Sequence, residues 1–173
     1  MGFHTLPPMI VMGVQGSGKT TIGTALAERL DVPFVDGDSL HSAENIRLMA
    51  SGHALTDEER LPWLRAVGER LAAGSDGGVV LACSALKRSY RDLLRQHAPE
   101  MITIYAEGDI QLIRTRISGR HHEYMPTSLL QSQFDTLEER DADEPGITVD
   151  VAETPPQIVD HIVEFLALRA ADR

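Results

Sequence analysis

A glycine-rich run with one lysine, Gly13-Val14-Gln15-Gly16-Ser17-Gly18-Lys19-Thr20, follows the apolar residues Met9 to Met12. The spacing is G-x-x-x-x-G-K-T. Gly13, Gly16 and Gly18 let the backbone curl so that successive N–H groups can point at phosphates. Lys19 is placed to reach the β- and γ-phosphates, and the Thr20 hydroxyl to take a magnesium position. A helical pattern of Ile22, Ala25, Leu26 and Leu30 follows, so the run joins a buried strand to a helix, the context this chemistry requires.

A second chemical signal is Asp36-Gly37-Asp38. Acids two apart in an extended segment face the same side, so both are expected to face the phosphates if strand geometry persists through Gly37. Asp36 is then suited to hold magnesium through water, and Asp38, farther out, to take the proton of an attacking hydroxyl. An Asx-turn that caps the next helix is the competing use of the same residues. Farther on, Lys87, Arg88 and Arg91 open a helical segment, where cations oppose the helix dipole unless something anionic binds. Lys87 is the preferred ligand-binding cation, and a solvated helix face accounts equally well for Arg88 and Arg91. Arg114, Arg116, Arg120, His121 and His122 precede Pro126 and suit a lid over a triphosphate, with Arg120 neutralising charge on the transferring phosphoryl group. Adjacent histidines without a third ligand at metal spacing argue against a metal centre.

Positioning these residues requires alternating strands and helices, an α/β domain with a largely parallel sheet. Strands are expected at Met9–Gly13, Pro33–Asp36, Val79–Ser84, Met101–Ala106 and Ile147–Val151. Helices are expected at Lys19–Leu30, Ser42–Ala50, Pro62–Ala73, Leu86–His97, Ile110–Ile117, Leu129–Glu139 and Gln157–Ala170. Pro62 suits a first helical turn, which makes Asp57–Arg60 a separate turn before it. Trp63 shares a face with Leu64 and Val67 and is expected in the core or at a partner interface, and the methionines read as core filler. Ligands of open parallel sheets sit at the carboxyl ends of strands, where the loop, the two acids and Lys87 all fall.

The chain has 173 residues, 42% hydrophobic and 24% charged, with one cysteine and a net charge of −10. That size suits one domain with a core that needs no staples. The acidic balance argues against a nucleic-acid partner, so a phosphate site must be a local basic island. Cys83 reads as a buried strand residue. No leader-like segment and no apolar run near about 18 residues is present, so no membrane association and a cytoplasmic location are expected.

The runs Asp36-Gly37-Asp38-Ser39-Leu40-His41, Asp57 to Arg60 followed by Pro62-Trp63-Leu64, and Cys83-Ser84-Ala85-Leu86-Lys87 resemble those of the gluconokinases among P-loop kinases. Tyr90-Arg91-Asp92-Leu93-Leu94-Arg95, Gln133-Phe134 and Leu137-Glu138 extend the resemblance over nearly the whole chain. It implies a P-loop fold like that of nucleoside-monophosphate kinases, with a five-stranded parallel sheet in the order 2-3-1-4-5, flanking helices and a lid. A single domain over residues 1–173 follows, with a substrate-binding helical region at about 39–73 and a lid at about 117–128.

The implied activity is ATP- and Mg2+-dependent phosphorylation of D-gluconate to 6-phospho-D-gluconate by a homodimer. Nucleotide-binding residues would be Gly13 through Lys19, Thr20, Thr21, Arg116 and Arg120. Asp38, His41, Arg60 and Lys87 would meet the sugar acid, Asp38, Lys19 and Arg120 would be catalytic, and Thr20 and Asp36 would serve the metal. Departures from the family pattern are Glu123 at a position usually histidine, Leu48 where lysine is common, and Arg140 where proline is common. A shikimate kinase is the nearest alternative, but Ser84-Ala85-Leu86-Lys87 stands where that enzyme uses three glycines. A GTP-dependent switch lacks its N-K-x-D motif here, since Asn45, the only asparagine, precedes Ile46.

Overall fold

The computed structural model describes residues 5–119 and 127–172. Strands β1 (Pro8–Met12), β2 (Phe34–Asp36), β3 (Val79–Ala82), β4 (Ile102–Glu107) and β5 (Gly146–Asp150) form a parallel sheet in the order β2-β3-β1-β4-β5. Helices α1 (Lys19–Leu30), α2 (Ala43–Ala50), α3 (Asp57–Ala73), α4 (Arg88–His97), α5 (Ile110–Ser118), α6 (Thr127–Thr136) and α7 (Pro155–Ala171) connect and cover it.

The central strand explains the layering. Every residue of β1 is buried, as expected of a strand covered on both faces. Its alternating side chains divide between two cores. Met9 and Val11 pack with Ile22 and Leu26 of α1 and Ile158 and Ile162 of α7, whereas Ile10 and Met12 pack with Leu64 and Val67 of α3 and Leu94 of α4. The carboxyl ends of β1, β2 and β3 therefore lie side by side, and each is followed by a segment singled out above.

Local signals explain most boundaries. Helix α7 starts at Pro155, two residues before the expected Gln157, because Thr154 and Gln157 form a capping box around prolines at the first turn. Helix α3 corrects an expectation. It runs unbroken from Asp57, with Pro62 in its interior, because Thr56 and Glu59 form a capping box that starts it there. Pro62 cannot donate to the Glu58 carbonyl, but both residues are exposed and water can solvate that group. Of the methionines, Met9, Met12 and Met101 are buried, but Met49 is 41% exposed on α2 and fills no core.

Candidate active site

The loop between β1 and α1 curls through left-handed backbone at Gly16 (φ 81°) and Gly18 (φ 98°), where a side chain would be strained. No acid occupies the first turn of α1, so its positive end is left for an anion. Lys19 Nζ donates to the Val14 carbonyl at 2.9 Å. Withdrawal from solvent lowers the Lys19 pKa, opposed first by Asp38 and less by Cys83 and Asp36. The Ser17 hydroxyl is buried without a hydrogen-bond partner inside the loop, while Thr20 and Thr21 are exposed at the start of α1. Gln15 N donates to Gln133 Oε1 on α6 at 2.6 Å.

The two acids at the end of β2 and just past it, Asp36 and Asp38, stand beside Lys19 but not as an extended pair. The chain turns at Gly37 into a 3₁₀ turn, Gly37–Leu40, capped by Asp36, whose Oδ1 accepts from Asp38 N at 3.0 Å. Strand geometry does not persist because Gly37 lies against β3: a Cβ there would meet the Ala82 carbonyl at 2.5 Å. Trp63 of α3 holds the turn from the other side, its indole N–H donating to the Gly37 carbonyl at 2.8 Å. Asp36 thus serves as cap, and both carboxylates remain exposed and close enough to act on Lys19.

Between α3 and α4, three residues converge on one tyrosine. Arg60 Nη1 donates to the Tyr90 hydroxyl at 3.0 Å, and that hydroxyl donates to Asp57 Oδ1 at 2.5 Å. Lys87 Nζ lies 3.2 Å from both Asp57 oxygens. Both cations also lie over the Tyr90 ring, at 5.7 Å for Arg60 and 5.5 Å for Lys87. Hydrogen bonds from Tyr90 and then Lys87 lower the Asp57 pKa, and the bond to Asp57 raises that of Lys87. Burial raises the Tyr90 pKa, with Asp57 adding to it. His41 stacks on Trp63 with ring centroids 4.3 Å apart, and its Nδ1 is buried without a partner. Desolvation lowers its pKa against the pull of Asp38, which favours the neutral imidazole.

The remaining cations of that helix start are already matched. Arg91 is fully buried and pairs with the equally buried Glu144 at 2.8 Å, so it is no solvated face. Its Nη1 donates to the Ala85 carbonyl at 2.8 Å. Arg88 pairs with Asp92 at 2.9 Å, Asp141 at 2.9 Å and Asp143 at 2.8 Å. The anions expected to offset the cations at this helix start are therefore the protein's own. Arg140, at the position where proline is common, braces the same segment by donating to the Glu144 carbonyl at 2.9 Å.

Asp57, Tyr90 and Trp63 were not among the expected site residues. The capping box around Asp57 was visible in the sequence, but the contact between α3 and α4 that joins it to Lys87 was not. Arg116 lies in the last turn of α5 and forms no ion pair among the described residues, and Arg120, His121, His122 and Glu123 lie outside them. Cys83 is buried just past β3, its pKa pushed up to about 12 by desolvation. No cluster of three His, Cys, Asp or Glu residues forms a metal cage among the described residues. The exposed side-chain oxygens of Thr20 and Asp36 are of the type that Mg2+ takes, one or two at a time, beside phosphates.

A phosphate loop between β1 and α1, acids after β2 and a cation cluster across from them define the class: a P-loop kinase of small molecules. The family model described as shikimate kinase matches residues 15–167. The thermoresistant gluconokinase of Escherichia coli K12 is 39% identical over 160 residues, 91% of each chain. The thermosensitive gluconokinase of the same organism is 44% identical over 141 residues, 80% of this chain and 75% of that one. A crystal structure of a gluconokinase from Sinorhizobium meliloti 1021 superposes with a TM-score of 0.88 at 46% identity, covering 96% of this chain and 94% of that one. Shikimate kinase from Aquifex aeolicus shares the fold, with a TM-score of 0.59 at 15% identity. The chain belongs to the shikimate kinase-like family and, within it, to the gluconokinases.

Proposed function

We propose that this protein transfers the γ-phosphoryl group of ATP to the terminal hydroxyl of D-gluconate, giving ADP and 6-phospho-D-gluconate. The observation that carries the reading is the pairing of Asp38 beside Lys19 with Arg60 and Lys87 around Tyr90. One end of the acceptor needs a base and the other a counter-charge. Asp38 takes the proton as the hydroxyl oxygen bonds to phosphorus and the bond to ADP breaks. The loop from Gly13 to Thr21 cradles the phosphates, and Lys19 offsets charge on the β- and γ-groups. Mg2+, met by Thr20 and Asp36 partly through water, supplies further charge neutralisation when bound. Arg116 and Arg120 belong to the same proposal as cations for the transferring group.

The Arg60 guanidinium commits only Nη1 to Tyr90 and keeps other N–H donors for a carboxylate. His41, neutral and stacked on Trp63, presents a ring edge to sugar hydroxyls. A shikimate acceptor is disfavoured because the turn after β3 carries Lys87 in place of a bare glycine run. The protein acts as a cytoplasmic homodimer in this reading. Among the described residues, no helix is long and apolar enough to cross a membrane.

A coupled ADP-release assay with gluconate, glucose, shikimate and nucleoside monophosphates tests the proposal. Gluconate is expected to turn over and the others to be poor, since glucose brings no carboxylate to the donors that Arg60 and Lys87 keep beyond Asp57. Similar kcat/KM for glucose and gluconate would remove the carboxylate assignment.

A further inference from the structure

The turn that carries Lys87 is strained and is held from outside. Ala85 adopts φ 41°, left-handed backbone that a residue with a Cβ disfavours, and such a conformation persists only where surrounding contacts over-determine it. Helix α4 then begins at Arg88 with Lys87 as its N-cap, and Lys87 makes no side-chain cap. The open end of the helix is closed by a residue fifty positions away. Glu138 Oε1 accepts from Arg88 N at 3.1 Å, and Glu138 N donates to the Leu86 carbonyl at 2.7 Å. A single residue thus grips the backbone on both sides of Lys87.

Glu138 lies two residues past the end of α6, and α6 makes a second contact of the same kind. Its Gln133 accepts from the backbone N–H of Gln15 in the phosphate loop. The apolar side of this helix packs in one small core with Val14 of the phosphate loop and Leu86 of the Lys87 turn. This helix and the segment just past it therefore touch the phosphate loop through Gln133 and the Lys87 turn through Glu138.

We infer that Glu138 is a positioning residue for the acceptor. By capping α4 from α6, it fixes Lys87 for the substrate carboxylate, while Gln133 does the corresponding work for the phosphate loop. The inference rests on the proposed reading of Lys87. Its main cause is the hydrogen bond to the Arg88 amide, which an amide oxygen can also accept, and the carboxylate charge at the start of α4 adds to it.

Steady-state kinetics with ATP and gluconate test it. Glu138→Ala should raise KM for gluconate about five- to tenfold, the scale of a lost helix cap, and leave KM for ATP within about twofold. Glu138→Gln keeps the acceptor oxygen and should bring KM for gluconate to within about twofold of wild type. Gln133→Ala should show the reverse pattern, with KM for ATP raised and KM for gluconate unchanged. If Glu138→Ala does not fold, Glu138→Asp, whose shorter side chain cannot reach Arg88 N, should give the same split. Equal changes in both KM values, or a Glu138→Gln variant as impaired as the truncated one, would overturn the inference. Wild-type protein inactive on gluconate would instead refute the function proposed above, leaving a distinguishable result.

Discussion

The phosphate loop and the proposed acceptor cluster around Tyr90 solve the same problem, placing charge in space, by opposite means. Between β1 and α1, eight contiguous residues from Gly13 to Thr20 do the work, and their own backbone supplies the shape. Around Tyr90, the contributing side chains come from α3, from the turn before α4 and from α4 itself, and the turn is braced from the segment after α6. The loop adopts left-handed conformations that glycine permits. The cluster is placed by the packing of α3 against α4, with the buried Arg91–Glu144 pair and the α4 cap beside it. Damage to the first should therefore appear as lost chemistry with the fold intact, and damage to the second as lost stability as well.

The largest expected effect lies where the two regions meet. Asp38→Asn should lower kcat by about 10²–10⁴-fold while ATP affinity stays near wild type, since asparagine orients a hydroxyl but takes no proton. Lys19→Ala should differ by weakening nucleotide binding too. Kinetics and nucleotide titration on both variants separate them, and an Asp38→Asn enzyme within a few-fold of wild type would leave the chemistry to the loop alone.

On the other side, Arg91→Met should leave the fully buried Glu144 without its main partner and destabilise the fold by about 3–5 kcal/mol. Urea unfolding measures this. A loss below about 1 kcal/mol would mean that Arg95 and Arg140 suffice to hold the segment, and the acceptor region would be less dependent on tertiary contacts than the comparison requires.

Acid provides the gentlest probe. Burial alone would raise the Glu144 pKa, but donors from Arg91, the Asp141 amide and Arg95 outweigh it and hold the carboxyl at about 2, against an ordinary 4.5. A depressed carboxylate stabilises the fold above its unfolded pKa, and this contribution disappears as pH falls from about 4.5 towards about 2. The difference corresponds to about 3 kcal/mol. Unfolding midpoints measured across that window should fall steeply in the wild type and less so in Arg91→Met.

Periodicity and capping signals anticipated the strands, the order of the helices and the phosphate loop. They misplaced the start of α3 because Pro62 points to a first helical turn, whereas the Thr56–Glu59 capping box begins the helix at Asp57. They left Asp36-Gly37-Asp38 between an extended pair and an Asx-type cap; the cap forms, fixed by Gly37 against the Ala82 carbonyl and by the Trp63 indole, contacts that no local signal reveals.

The sequence by itself determined the nucleotide side of this protein, because a phosphate loop is made by neighbours in the chain whose backbone freedom is a property of residue type. Only the tertiary structure decided the acceptor side. Whether a cation such as Arg91 or Lys87 is buried in an ion pair or held ready for a ligand depends on which acids the packed helices bring within hydrogen-bond reach. Glu144 lies more than fifty residues from Arg91 and Asp57 thirty from Lys87, distances that spacing rules for helices and strands do not bridge.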